Sequence, residues 1–152
     1  MQINTINNNN SKQQSFGAKI PDMTQLEEVV TKHLGYFGDD FLTALEKSAK
    51  EIKNIKFNGE HPDLFFKEIM GEESGKNLAI NASIPGCSKA IGKANWRFGY
   101  SLDKTIASNE TRGEVLLESF INTLKYAVEN IKESPQYMKG RLEQIGEKIN
   151  KE

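Results

Sequence analysis

Apolar and polar residues alternate most regularly in two runs between Asn77 and Leu102. The apolar positions that share a face are Leu78, Ile80, Ala82 and Ile84 in the first run, and Trp96, Phe98, Tyr100 and Leu102 in the second. Alternation with a period of two is typical of a strand that has one buried and one solvated face. The pattern therefore predicts two antiparallel strands joined by an eleven-residue loop over residues 85–95.

Two further strands are predicted upstream of this pair. Ile55 and Phe57 alternate with polar residues, and the Asn58-Gly59 pair that follows is typical of a tight hairpin turn. Residues 64–70 form an apolar, β-compatible run that begins beyond a Pro-Asp pair. Together the four segments predict an antiparallel meander.

Apolar residues spaced three or four positions apart predict two helices before the strands. Thr24 and Glu27 have the spacing of a capping box, in which each side chain accepts a hydrogen bond from the other residue's backbone amide. Gly35 and Gly38 interrupt the apolar stripe that follows, and Asp39 is placed to cap a second helix. We therefore expect two short helices rather than one long one.

The C-terminal third is predicted to be helical again. Thr111 and Glu114 repeat the capping-box spacing at the start of an apolar stripe that runs to Ile131. Ser134-Pro135 then favours a new helix start, because Ser suits the cap and Pro suits the first helical position. The predicted fold class is thus α+β, a two-layer sandwich in which N-terminal and C-terminal helices flank the four-stranded meander. The two C-terminal helices are expected to cover its apolar face.

The first 22 residues differ in composition from the rest, which is predicted to be a single domain over residues 23–152. Asn7 to Asn10 are four consecutive asparagines, and so few apolar residues surround them that the segment is predicted to be a disordered tail. Phe16, within a Ser-Phe-Gly-Ala-Lys sequence, is a candidate docking residue. This leader resembles the Asn-rich heads of uncharacterised gut-bacterial proteins, and it also resembles leaders that direct bacterial effectors into contact-dependent secretion.

Charge and cysteine content narrow the possible partners and compartments. The chain has 152 residues, with 20 Lys and Arg against 21 Asp and Glu, so a charge-driven partner must use a local patch. The single cysteine, Cys87, offers no intramolecular disulfide, and no apolar run suits a classical secretory signal or a membrane span. We expect a soluble cytoplasmic protein, with secretion through the unusual leader as the alternative.

Excess positive charge is concentrated in the predicted 86–97 loop. Its Gly-Cys-Ser-Lys-Ala-Ile-Gly-Lys stretch departs from a phosphate-binding loop, since five residues separate the glycines and Ala94 follows the last lysine. Lys89, Lys93 and Arg97 remain candidate binding residues for a nucleic acid. Nucleic-acid binding is nevertheless not favoured, because the neighbouring rings are expected on the opposite face of the strand from Arg97.

The residues offer no convincing catalytic or metal site. Cys87 would need a histidine to activate it, but His33 lies on an apolar helical stripe and His61 in a turn. The two histidines and one cysteine are not spaced as zinc ligands. No catalytic residue, metal or cofactor is predicted.

The last predicted helix carries a narrow apolar seam with coiled-coil-like spacing. Its members are Met138, Leu142, Ile145 and Ile149. The seam is expected to pack on the sheet of its own chain, with homodimerisation through it as the alternative. Because no acid, base, nucleophile or metal constellation can be assembled from the residues, we expect a non-enzymatic interaction or adaptor module. The alternatives are a secreted effector-like protein, a nucleic-acid binder and a protein with a small-molecule site between sheet and helices.

Overall fold

Three antiparallel strands form the sheet in the computed structural model, which describes residues 17–69, 76–85 and 87–151. The strands are β1 (Asp63–Ile69), β2 (Leu78–Ile84) and β3 (Cys87–Trp96), and they lie side by side in that order. Short connections between sequential antiparallel strands make the sheet a meander.

Six α-helices belong to the described part of the chain. They are α1 (Thr24–His33), α2 (Gly38–Lys47), α3 (Ala49–Lys53), α4 (Phe98–Asp103), α5 (Arg112–Glu129) and α6 (Pro135–Asn150). Short 3₁₀ helices at Gly35–Phe37 and Asn130–Glu133 precede α2 and follow α5. The predicted α+β class is confirmed.

One face of the sheet forms the floor of the hydrophobic core. Burial alternates along β2 as predicted, so that Leu78, Ile80 and Ala82 are fully buried. The buried stripe of α5 packs over this face, where the Trp96 ring lies 4.8 Å from the ring of Phe120. The Trp96 indole nitrogen donates to the hydroxyl of Ser119 at 2.8 Å. The one polar atom of this large side chain is therefore satisfied inside the core.

The predicted strand from Trp96 to Leu102 is wrong, because the strand ends at Trp96 and the chain turns into the short helix α4. Trp96 and Phe98 are both buried, but Tyr100 is 73% exposed. The Gly99 amide donates to the Lys76 carbonyl at 3.1 Å, and a Cβ at Gly99 would lie only 3.2 Å from the Lys76 side chain. The period-two spacing of Phe98, Tyr100 and Leu102 therefore lies in a six-residue helix, where Tyr100 is on a different face from Phe98.

The eleven-residue loop predicted before Trp96 is also wrong, since those residues from Cys87 onward form β3. Ala90 and Gly92 point inward and are buried, whereas Ile91 and Lys93 are exposed. A Cβ at Gly92 would lie 1.9 Å from the carbonyl oxygen of Ala127, so only glycine lets the end of α5 approach the strand. Because the inward residues of β3 are small, its alternation of buried and exposed positions is not recognisable as an apolar pattern in the sequence.

The predicted fourth strand is reduced to one pair of residues. Phe57 and Glu60 exchange backbone hydrogen bonds of 2.7 and 3.0 Å around a tight turn, outside the three-stranded sheet. The turn itself is confirmed, because Asn58 and Gly59 both have positive φ angles, of 52° and 82°.

The predicted helix caps have mixed outcomes. Thr111 and Glu114 form the predicted capping box at the start of α5, and the Ser134 hydroxyl accepts from the Gln136 amide at the start of α6. The box predicted at Thr24 is wrong, because α1 has no side-chain cap of this kind and the Thr24 amide instead donates to the Asp22 carboxylate.

Asp39 is not the cap of α2 either. It lies in the first turn of that helix, which begins at Gly38. Its neighbour Asp40 instead accepts a hydrogen bond from the Gly113 amide in the first turn of α5. The carboxylate therefore connects two helices rather than starting one.

Contacts with the domain begin before residue 23. The Ala18 amide donates to the Lys53 carbonyl at 2.9 Å, and Lys19 pairs with Asp63 at the outer edge of β1. The opposite edge is partly covered as well, since the Asn130 side chain donates to the Lys93 carbonyl at 2.8 Å. Both edges of the sheet thus have a hydrogen-bonding neighbour.

Candidate interaction surface

Helix α6 differs from α5 in that none of its residues is buried. Met138, Leu142, Ile145 and Ile149, hereafter the α6 seam, are 51%, 68%, 43% and 75% exposed. The preferred expectation that this seam packs on the sheet of its own chain is therefore not met. The seam is an apolar stripe whose residues are all exposed.

The start of α6 is fixed by local sequence. Ser134 is buried and its amide donates to the Ile131 carbonyl at 3.0 Å, which closes the preceding 3₁₀ turn. Its hydroxyl caps α6, and Pro135 occupies the first turn, where its missing amide costs nothing. The direction in which α6 leaves the domain is thus set at this junction.

Tyr137 is the main attachment of α6 to the rest of the domain. Its ring meets that of Phe57 edge to face, with centroids 5.5 Å apart. Its hydroxyl oxygen accepts from the Asn58 side chain at 3.2 Å and from Arg141 at 3.4 Å. These donors favour the phenolate, so the hydrogen bond from Arg141, followed by that from Asn58, lowers the pKa of Tyr137 below 10.

An open cavity of about 580 Å³ lies between α6 and the sheet. Gly140, Arg141 and Gln144 of α6 line one side, and Ile84, Ala90 and Ile131 are among the residues on the other. Helix α6 therefore turns a small and polar face toward the domain. The seam lies on the opposite side, so the domain leaves it accessible.

Charged residues are unevenly distributed around α6. Lys139 and Lys148 are exposed, and Arg141 is exposed at the rim of the cavity. On a helix with 3.6 residues per turn, these cations flank the seam, whereas Glu143 and Glu147 lie toward the opposite side. The seam is thus apolar along its centre and basic along both margins.

The structure places the described residues of the predicted 86–97 loop in β3 and just beyond its end. Lys93 is exposed on the sheet face opposite the helices, paired in register with Asn81, and Arg97 is exposed just beyond the end of β3. Lys89 belongs to β3, but its side chain is outside the described part of the chain, and so is Phe16. The roles proposed for these four residues remain predictions.

Sequence reasoning missed the contact between Tyr137 and the Asn58-Gly59 turn. The two partners are 79 residues apart, and neither position carries a pattern that distinguishes a contact from a solvated side chain. The spacing of the seam was visible in the sequence. Its exposure was not, because exposure depends on how α6 leaves Ser134.

Other exposed apolar residues are scattered over several elements. The large ones outside α6 are Met23, Tyr36, Phe37, Leu42, Phe65, Ile91, Tyr100 and Tyr126. Isolated residues of this kind are normal on protein surfaces, whereas a periodic row along one helix is not. The α6 seam is therefore the strongest candidate for a functional surface.

Metal-binding geometry, membrane-spanning character and similarity to known proteins provide no further candidate. Within the described residues, no group of three or more His, Cys, Asp or Glu side chains is arranged to hold a metal ion. None of the helices in the same ranges combines the length and apolar character needed to cross a bilayer. Comparison with protein-family models, curated proteins and solved structures finds no match for this chain.

Proposed function

We propose that this protein acts by binding rather than by catalysis, as an interaction module that presents α6 to a partner protein. The observation that carries the proposal is the exposure of all four seam residues on a helix held to the domain by its opposite face. Their spacing of four, three and four residues matches the anchors of a helix that lies in an apolar groove. The proposed occupant of the seam is such a groove.

A groove fits the seam better than a second copy of the chain does. A 16-residue helix spans about two heptads, fewer than the three or four that indicate a coiled coil. Two seams of four side chains would bury less than the ~1,200 Å² at which stable interfaces begin. A groove with two walls surrounds the same side chains and removes more of their area from water.

The seam is also narrow for a lipid surface. Helices that lie in a membrane interface present a broad apolar face, commonly with aromatic residues. The seam has four aliphatic residues, and the aromatic Tyr137 points toward the domain instead. A protein groove therefore suits its dimensions better than a bilayer does.

The test begins with the solution mass of the full chain and of the Leu142→Asp variant, measured by light scattering. We expect a monomer in both cases. A dimer that Leu142→Asp dissociates would assign the seam to a second copy and overturn the proposal. Binding of the full chain to phosphatidylglycerol vesicles through the same residue would overturn it in favour of a lipid surface.

A photo-crosslinking amino acid at position 142 then identifies the partner in the cells that encode the protein, and the same amino acid at position 147 serves as the control. We expect a product from position 142 that position 147, on the far side of α6, does not give. The purified partner must bind the full chain, and Leu142→Asp must weaken that binding at least about tenfold. Equal products from both positions, or unchanged affinity of the variant, would contradict the proposal.

A further inference from the structure

We infer that the partner's groove has acidic rims, an inference that rests on the function proposed above and specifies the chemistry of the same site. Successive residues of an α-helix are turned by about 100°. Lys139, Arg141 and Lys148 therefore lie about 70° to 90° from the centre of the seam. These are the positions that face the rims when the seam occupies a groove.

The two acidic residues of α6 are placed where they do not face the rims. Glu143 and Glu147 lie about 130° to 170° from the centre of the seam. Both margins of the seam thus carry cations only, although the helix as a whole has three cations and two acids. The margins of the seam are therefore positively charged, although the charges of α6 as a whole nearly cancel.

The cations at the margins are available to a partner. Among the described residues, ion pairs join Lys32 to Glu28, Lys125 to Glu51 and Lys132 to Glu129, and no pair involves the margins of the seam. Only Arg141 has a described side-chain hydrogen bond, at 3.4 Å to the Tyr137 hydroxyl. Acidic rims would give each cation an opposite charge.

Charge also argues against self-pairing as the use of this surface. In an antiparallel pair that matches Leu142 with Ile145 of the other copy, Arg141 would lie beside Lys148 of that copy. A parallel pair would place Arg141 beside Gly146 and gain no attraction. Neither pairing of two copies gives the cations an attractive partner, whereas an acidic groove would attract all three.

The test uses three designed two-helix hairpins that share one leucine-lined groove and carry Glu, Gln or Lys at the rim positions. Fluorescence anisotropy measures the binding of each labelled hairpin to the full chain at low salt. We expect the Glu-rimmed hairpin to bind at least about tenfold more tightly than the Lys-rimmed one, with the Gln-rimmed hairpin between them. The preference should shrink in about 0.5 M salt.

Charge reversal supplies the matched control. The triple variant Lys139→Glu, Arg141→Glu and Lys148→Glu should reverse the preference toward the Lys-rimmed hairpin. A second triple variant, Lys47→Glu, Lys67→Glu and Lys104→Glu, changes the net charge equally at exposed positions outside α6 and should keep the preference for the Glu-rimmed hairpin. Loss of the preference in both triples would assign it to net charge and overturn the inference.

The remaining outcomes separate this inference from the proposed function. Equal binding of all three hairpins, abolished by Leu142→Asp, would overturn the acidic rims and leave docking through the seam intact. Binding that Leu142→Asp does not weaken, or no binding of any hairpin, would overturn both. Circular dichroism of each variant checks that α6 remains helical.

Discussion

Helices α5 and α6 follow one another in the chain and have similar local sequence signals. The apolar stripe of α5 is buried, whereas that of α6 is exposed. Both start with a side-chain cap and both have apolar residues three and four apart. The stripe of α5 includes Phe120 and supplies nine buried residues, whereas that of α6 supplies none. Amphipathic spacing thus indicates that a helix has an apolar face without indicating which molecule covers it.

Width and residue size distinguish the two stripes. The stripe of α5 spreads over adjacent positions, with Val115, Leu116 and Leu117 all buried, and reaches across the sheet to Trp96. The seam of α6 is one side chain wide and holds no aromatic residue. A wide stripe suits a sheet, while a narrow one suits a groove or another helix.

The strongest test of this contrast compares one truncation in each helix. Phe120→Ala should lower the free energy of unfolding by about 3–5 kcal/mol, because it leaves a cavity beneath Trp96. Leu142→Ala should change it by less than about 0.5 kcal/mol, since the side chain is already exposed. Urea denaturation measures both. A cost above about 1 kcal/mol for Leu142→Ala would mean that α6 packs on its own domain.

Glycine substitutions test whether α5 is closely packed on the sheet and α6 is not. Gly92→Ala would force a methyl group into the carbonyl of Ala127, and we expect a loss of about 1–3 kcal/mol or more in the free energy of unfolding. A Cβ added at Gly140 would meet no atom within 4 Å, so Gly140→Ala should instead raise the helical content of α6, by up to about 1 kcal/mol of local stability. Thermal unfolding and circular dichroism distinguish the two. Equal destabilisation would contradict the contrast.

Removal of the helix caps should also affect α5 and α6 differently, with smaller changes in the free energy of unfolding. Thr111→Ala removes the capping box of α5 and should lower the free energy of unfolding by about 1 kcal/mol. Ser134→Ala removes the cap of α6, and its main effect should be faster amide hydrogen exchange in the first turns of α6. The contrast fails if Ser134→Ala leaves exchange in α6 unchanged.

The smallest expected effect concerns the pKa of Tyr137. Because hydrogen bonds from Arg141 and Asn58 lower this pKa in the folded protein, Arg141→Gln should raise it toward 10. Between the lowered pKa and 10, the unfolded chain binds more protons than the folded one, so stability should rise slightly with pH in this window and be lost as pH falls through it. Ultraviolet titration of the phenol measures the shift. An unchanged pKa of Tyr137 in the variant would show that Arg141 is not what lowers it.

Elements governed by local chemistry could be predicted from the sequence. The Asn58-Gly59 turn needs positive φ at two adjacent residues, and the Thr111–Glu114 box needs two side chains at fixed spacing, so the signals for both lie in neighbouring residues. The same spacing at Thr24 and Glu27 forms no box, so spacing alone does not decide the outcome. The alternation of β2 was visible because its inward residues are large enough to stand out. These predictions required no knowledge of distant contacts.

Elements shaped by distant contacts were mispredicted. Strand β3 has small inward residues because the end of α5 passes close to Gly92, and small residues among lysines suggested a loop. Helix α4 continued the alternation of Trp96 and Phe98 by chance, and its close approach to Lys76 at Gly99 left no sequence pattern. The seam was found at the right residues. Its surroundings depend on the Ser134 junction and on Tyr137, which the pattern does not encode.

The Tyr137 attachment implies that α6 would already be helical before it binds a partner. Isolated helices of this length are marginal in water, so a free peptide with the α6 sequence would lose entropy each time it bound. Here the cap and the ring contact with Phe57 hold the first turn beforehand, on a different side of α6 from the seam. Under the proposed function, exchange of seam residues would change the partner that is bound, while the aromatic interior around Trp96 stays unaltered.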